Sequence, residues 1–133
     1  MLAVTDTHSL LWHANQRMQK LGLRARDHFE RTDRREAAVY VPTFVLAEVA
    51  ELVHLGRVQL PRPFEEWLDD LLKSNVYIPA DPTADVMRSA HNLFAIPERG
   101  DRLIAATAVA LGVPLITRDR EIAACAQVER LWD

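Results

Sequence analysis

Acidic residues in this sequence stand where apolar segments stop. LAVTD runs from Leu2 to Asp6, and PLITRD from Pro114 to Asp119. Asp101 follows Gly100 and opens the apolar run DRLIAATAVAL, while Glu48 interrupts FVLAEVAEL. Each has a plain structural reading. Aspartate is a good helix N-cap, and Asp6, Asp101 and Asp119 each sit before a predicted helix. Glu48 and Glu51 can simply mark the solvent side of theirs. The chemical reading takes them together. Three or four carboxylates meeting in one crevice repel each other, and a hard divalent cation such as Mg²⁺ or Mn²⁺ offsets that with oxygen ligands. A metal so held suits phosphoryl chemistry, because it acidifies a bound water and stabilises the leaving oxygen.

The neighbouring residues fit either reading. Arg99, Arg102, Arg118 and Arg120 flank the acidic positions; they can bind substrate phosphates or only balance the carboxylates. Thr117 can orient Asp119 or a metal-bound water, or be an ordinary β-branched strand residue. The histidines make no zinc site. His8 and His13 are five apart, which is not the same-face spacing of a helical pair. His28, His54 and His91 are isolated, and all five read as surface or core residues.

The elements that must position these groups alternate. Strands are predicted at Leu2–Thr5, Ala38–Val41 (stopped by Pro42), Val76–Ile78, Val113–Thr117 and Val128–Leu131. Helices are predicted at Thr7–Ala14, Leu23–Thr32, from an N-cap at Thr43 to a stop at Gly56, at 64–73 behind Pro61 and Pro63, from the DPT turn to about Phe94, at Asp101–Leu111 with Gly112 as its stop, and at Glu121–Ala126. Strands separated by helices imply βαβ crossovers and a parallel sheet. The strands are apolar without alternation, as expected when helices cover both faces. The fold class is α/β, a three-layer α/β/α sandwich with a short, mainly parallel central sheet. Functional crevices of such sheets lie at the carboxyl ends of the strands, where Asp6 and Asp119 fall.

The totals set limits. The chain has 133 residues, which suits one domain over 1–133. The formal net charge is −3, so nucleic acid is not gripped by bulk electrostatics and any contact is local. The arginines from Arg24 to Arg35 are interleaved with acids and read as a solvated helix face. Cys125 is the only cysteine, which excludes an intrachain disulfide and reads as a small buried residue. No membrane-length apolar run and no signal-peptide pattern is present, and a cytoplasmic location is expected.

DTHSLLWH, TFVLAEVAEL and GDRLIAATAVALGVPLITRD, in that order and spacing, span nearly the whole chain. On these blocks the sequence resembles the PIN-domain ribonucleases, and within them the toxins of bacterial VapBC-type toxin–antitoxin modules. The resemblance implies metal-dependent endonucleolytic cleavage of RNA by water, with no covalent intermediate. It implies four acidic site positions, here Asp6, Glu48, Asp101 and Asp119. Asp6 and Asp101 are assigned as principal Mg²⁺ or Mn²⁺ ligands. Glu48 orients the water or completes the ligand set, and Asp119 is a supporting or second-metal ligand. Thr117 matches the polar residue that the family often keeps before the last aspartate. Thr117, Arg102 and Arg118 are assigned to the substrate. The sequence departs from the family's DPxDR pattern: PERGDR puts Glu98 where an aspartate is common and Arg99 where a proline is. Implied partners are the RNA, a small antitoxin and a second copy of the chain. The helices at about 43–55 and 64–73, with Phe44, Leu55, Trp67 and Leu71, are the expected antitoxin surface; the plain reading is core packing, and several of these residues must be core. Two other classes carry an acidic crevice: a metal-dependent phosphoesterase outside a toxin–antitoxin pair, and a non-catalytic binding module. A receiver-type module needs a lysine at a late strand end, and Lys20 and Lys73 are not at one.

Overall fold

Five short segments rich in valine, leucine and isoleucine form the sheet. In the computed structural model, which describes residues 1–133, they are β1 (Leu2–Thr5), β2 (Ala38–Pro42), β3 (Tyr77–Ala80), β4 (Leu115–Ile116) and β5 (Arg130–Leu131). Every pairing is parallel, and the order is β3-β2-β1-β4-β5. β1 is central: Val4 aligns with Tyr40 of β2 on one side and with Leu115 of β4 on the other. Parallel neighbours need crossovers, and the helices supply them. These are α1 (Thr7–Ala14), α2 (Leu23–Asp33), α3 (Thr43–His54), α4 (Phe64–Lys73), α5 (Ala84–His91), α6 (Arg99–Leu111) and α7 (Arg120–Ala123). None is long and apolar enough to cross a membrane.

The core follows from this arrangement. Ala3, Val4, Val39, Val41, Leu115 and Ile116 of the sheet are fully buried, as are Phe29 of α2 and Val45 and Val49 of α3. Burying each large apolar side chain contributes roughly 1.5–3 kcal/mol. α1 and α6 both pack on α3, and α5 packs on α6. α6 ends at Gly112, whose φ of 67° lies in the left-handed region that closes helices.

Several local expectations are corrected. Thr43 is the first residue of α3 rather than its cap; Pro42 occupies the cap position without a side-chain acceptor. Pro42 does not stop β2 early either, because it still pairs in register with Ala80. β3 runs to Ala80 through Pro79, which an edge strand tolerates because one side of it needs no ladder donor. β4 keeps only two residues, and α5 stops before Phe94. Asp101 is not the cap of α6. That helix starts at Arg99, and Glu98 caps it by accepting from the N–H groups of Gly100 at 2.9 Å and Asp101 at 2.6 Å. Trp67 and Leu71 lie in the core, since the apolar stripe of α4 faces inward; Leu55, at 53% exposure, is the one of the four expected surface residues left open.

Candidate functional site

The strand order changes direction between β1 and β4: β2 and β3 lie on one side, β5 on the other. The loops leaving two such strands diverge and open a crevice at their carboxyl ends. Asp6 follows β1 directly, and Asp119 follows β4 after Thr117 and Arg118. Both do cap helices. Asp6 accepts from the Ser9 N–H at 2.9 Å, and Asp119 Oδ1 from the Glu121 N–H at 2.8 Å. The cap and the site readings are therefore compatible, because a cap bond uses one carboxylate oxygen and leaves the other (four lone-pair positions serve the pair).

α6 brings the third acid. Its N-terminus lies tight against α3: a Cβ on Gly100 would come within 2.7 Å of the Phe44 ring. The bare glycine lets Asp101, in the first turn of α6, lie near Glu48 of α3. Glu48 is itself held, since Thr7 Oγ1 donates to Glu48 Oε1 at 2.6 Å. Thr117 is fully buried, and its hydroxyl accepts from the Asp119 N–H at 3.1 Å, which shapes the loop carrying that acid.

The electrostatics show that the acids feel each other. The Asp101 carboxyl is pushed up to about 6, first by burial, then by the charges of Glu98, Asp119, Glu48 and Asp6. Burial also raises Asp6. The Ser9 N–H, Thr117 and His8 pull it back in part; the Ser9 hydroxyl is buried without a partner. Glu98 moves the other way, held below the usual carboxylate range by the two backbone N–H groups it caps. No ion pair of the protein involves Asp6, Glu48, Asp101 or Asp119.

Two adjoining hollows hold these groups. One, of about 470 Å³, is lined by Asp6, Asp101, Thr117, Arg118 and Asp119 with His8 and Trp12. The other, of about 160 Å³, adds Thr7, Glu48 and Glu51 to Asp6, His8 and Asp101. The acids are grouped rather than clamped: no three of them close around a common point tightly enough to hold an ion as they stand. Arg118 is exposed at the rim. Arg102 is elsewhere. Its guanidinium donates to the carbonyls of Ile96 and Pro97 and lies 4.4 Å over the Phe94 ring, so it braces the loop before α6 instead of facing the cleft. Sequence reasoning weighed His8 only as a zinc ligand and set it aside, yet it lines both hollows. The signal was its place two residues after Asp6 and one helical turn before Trp12, the i,i+4 spacing that puts two side chains on one face.

Fold and site together define a class. The profile of the PIN domain matches residues 3–128, and the chain belongs to the PIN domain family. Its structure is similar to a chain of the VapBC2 complex from Rickettsia felis, solved with a promoter DNA fragment, at 18% identity and a TM-score of 0.72 with 100% of each chain covered. It is also similar to a chain of a toxin–antitoxin complex from Klebsiella pneumoniae, at 18% identity and a TM-score of 0.65, covering 95% of this chain and 94% of that one. FitAcB from Neisseria gonorrhoeae contains a third, at 20% identity and 0.57, covering 98% and 96%. A search of curated proteins returned no match.

Proposed function

We propose that this chain is the toxin of a toxin–antitoxin pair and a divalent-metal-dependent endoribonuclease acting in the cytoplasm. The observation that carries the reading is the group of carboxylates at the β1–β4 reversal, left without cationic partners, where burial and then mutual repulsion lift Asp101 to about 6. Such repulsion costs stability, and a bound cation relieves it. The donor set is all oxygen, which fits Mg²⁺ or Mn²⁺. The loose grouping fits as well, because Mg²⁺ keeps several of its waters and takes one or two carboxylates rather than a closed cage. Asp6 and Asp101 would hold it, with Asp119 in support. When bound, the cation supplies an acidified water and charge for the phosphoryl oxygens.

The chain's own residues supply the rest. The residues lining the two hollows include no serine, cysteine or lysine, which favours water as the nucleophile. Glu48, with Oε1 occupied by Thr7, keeps Oε2 to orient that water and accept its proton. Thr117 fixes the Asp119 loop. Arg118 offers a charge to the phosphate from the rim. Likeness over nearly the full chain to a subunit of a toxin–antitoxin complex supports the pairing with a small antitoxin that covers the cleft.

Cleavage of total cellular RNA by the purified chain tests the reading. Cutting is expected with Mg²⁺ or Mn²⁺, none with EDTA, and none by Asp101→Asn in either metal. Metal-independent cutting, or full activity in Asp101→Asn, would overturn it.

A further inference from the structure

A second hollow of about 470 Å³ adjoins the acidic cleft and shares His8 and Trp12 with it. That volume is in the range of ligand sites. Its floor is α1, and its far wall is the segment after α3, with Arg57, Val58 and Leu60. The wall is tied to α1 because Asn15 Nδ2 donates to the Gln59 carbonyl at 2.9 Å, so the hollow is built in place. Two cations line it, Arg17 and Arg57. Both are exposed, and neither is in an ion pair. Half of the other arginines are differently placed: Arg26, Arg31, Arg34, Arg62, Arg88 and Arg130 each pair with a carboxylate. Lys20 Nζ lies 5.8 Å from the Trp12 ring centre, and the His8 and Trp12 rings lie 6.0 Å apart.

We infer that this hollow is a substrate subsite holding single-stranded RNA on one side of the scissile phosphate; the inference rests on the nuclease reading. A strand with one phosphate at Asp101 that runs on into this hollow passes over His8 and Trp12, the only residues common to the two. Aromatic faces there suit an unstacked base, which is how single strands are held without sequence preference. Arg17 and Arg57 beyond them suit the next phosphates. This also explains how a chain of net charge −3 takes a polyanion past four carboxylates: the cations are local and lie to one side of the acids.

The test is binding of a labelled single-stranded RNA oligomer to the Asp101→Asn chain by fluorescence anisotropy, over a range of salt. Arg17→Ala with Arg57→Ala is expected to weaken binding about tenfold or more and to flatten the salt dependence by about 1.4 in log–log slope, about 0.7 for each phosphate that is no longer neutralised. His8→Ala is expected to weaken it several-fold with the slope unchanged, the mark of missing stacking. The control pair is Arg31→Ala with Arg34→Ala, at the other pole of the sheet beside Met1 and Glu36. Equal losses from the two pairs would overturn the subsite and leave the hollow to another occupant, such as a partner peptide. Absence of RNA binding by Asp101→Asn would also overturn it, while metal-dependent cutting by the unaltered chain keeps that failure separate from failure of the nuclease reading.

Discussion

Replacing Asp101 with asparagine should make the metal-free protein more stable at neutral pH. The change keeps the shape and removes a charge disfavoured first by burial and then by repulsion from Glu98, Asp119, Glu48 and Asp6. The carboxyl moves from 3.8 to about 6 on folding. At about 1.4 kcal/mol per unit, a shift of roughly two units corresponds to about 3 kcal/mol. Asp101 is part-exposed, and solvent screening reduces this to about 1–1.5 kcal/mol. The sign is fixed by linkage. A carboxyl whose folded value is raised keeps its proton longer in the folded state, so the folded protein loses stability as pH rises between about 4 and 6. The full penalty is present above that window and absent below it. Urea unfolding of both proteins in EDTA should therefore favour Asp101→Asn by about 1–1.5 kcal/mol at pH 7.5, about half that at pH 5 and little at pH 4. In melting temperature the neutral-pH gap is about 3–6 °C for a domain of this size. Adding Mn²⁺ at a hundred times its Kd should stabilise the unaltered chain by about 2.7 kcal/mol and reverse the order. An asparagine variant less stable at pH 7.5, or a gap unchanged at pH 4, would refute the repulsion argument.

Three other perturbations follow from the contacts. Thr7→Val removes the donor to Glu48; it should cost about 1–2 kcal/mol in chemical denaturation and lower the turnover of RNA cleavage more than the KM. Glu98→Ala removes the cap of α6 and should cost about 1 kcal/mol, with thermal melts at pH 7 as the readout; no loss would mean that solvent serves those N–H groups as well. Arg130 donates to the carbonyls of Thr117 and Arg118 at 3.1 Å each. Arg130→Met should therefore speed amide exchange in residues 117–119 and weaken cleavage, while leaving exchange in β2 unchanged.

The alternation of apolar strands and amphipathic helices was readable because each helix and strand carries its own period. Gly56 and Gly112 were readable as stops because glycine takes left-handed backbone at a helix end without strain; Gln16, Arg35 and Asn75, which close α1, α2 and α4 in the same conformation, carried no such sign. The cap of α6 was not. Asp101 is the better cap by residue type, but the helix begins earlier because Gly100 must pack under Phe44, a contact between residues far apart in the chain. The strand order was hidden for the same reason: which strands become neighbours depends on how helices stack, and no local pattern records it. The four acids stood out by position, whereas their mutual approach needed the fold. Arg102 looked like a phosphate ligand because it follows Asp101; the helical turn carries it away to Phe94 and the Ile96 carbonyl. His8 was weighed only as a zinc ligand, because a histidine outside a ligand spacing has no signature until the wall it lines is known.

The central position of β1 has a consequence for the order of synthesis. Val4 is made long before its partner Leu115 in β4. At roughly 5–20 residues per second, the strand waits about 6–20 s for that neighbour. The acids gathered at the crevice come from the beginning, the first half and the last third of the chain. A nascent chain that stops before β4 carries Asp6 and Glu48 but no crevice between two diverging strands. Whatever chemistry the cleft performs is thus silent on the ribosome until β4 has been made.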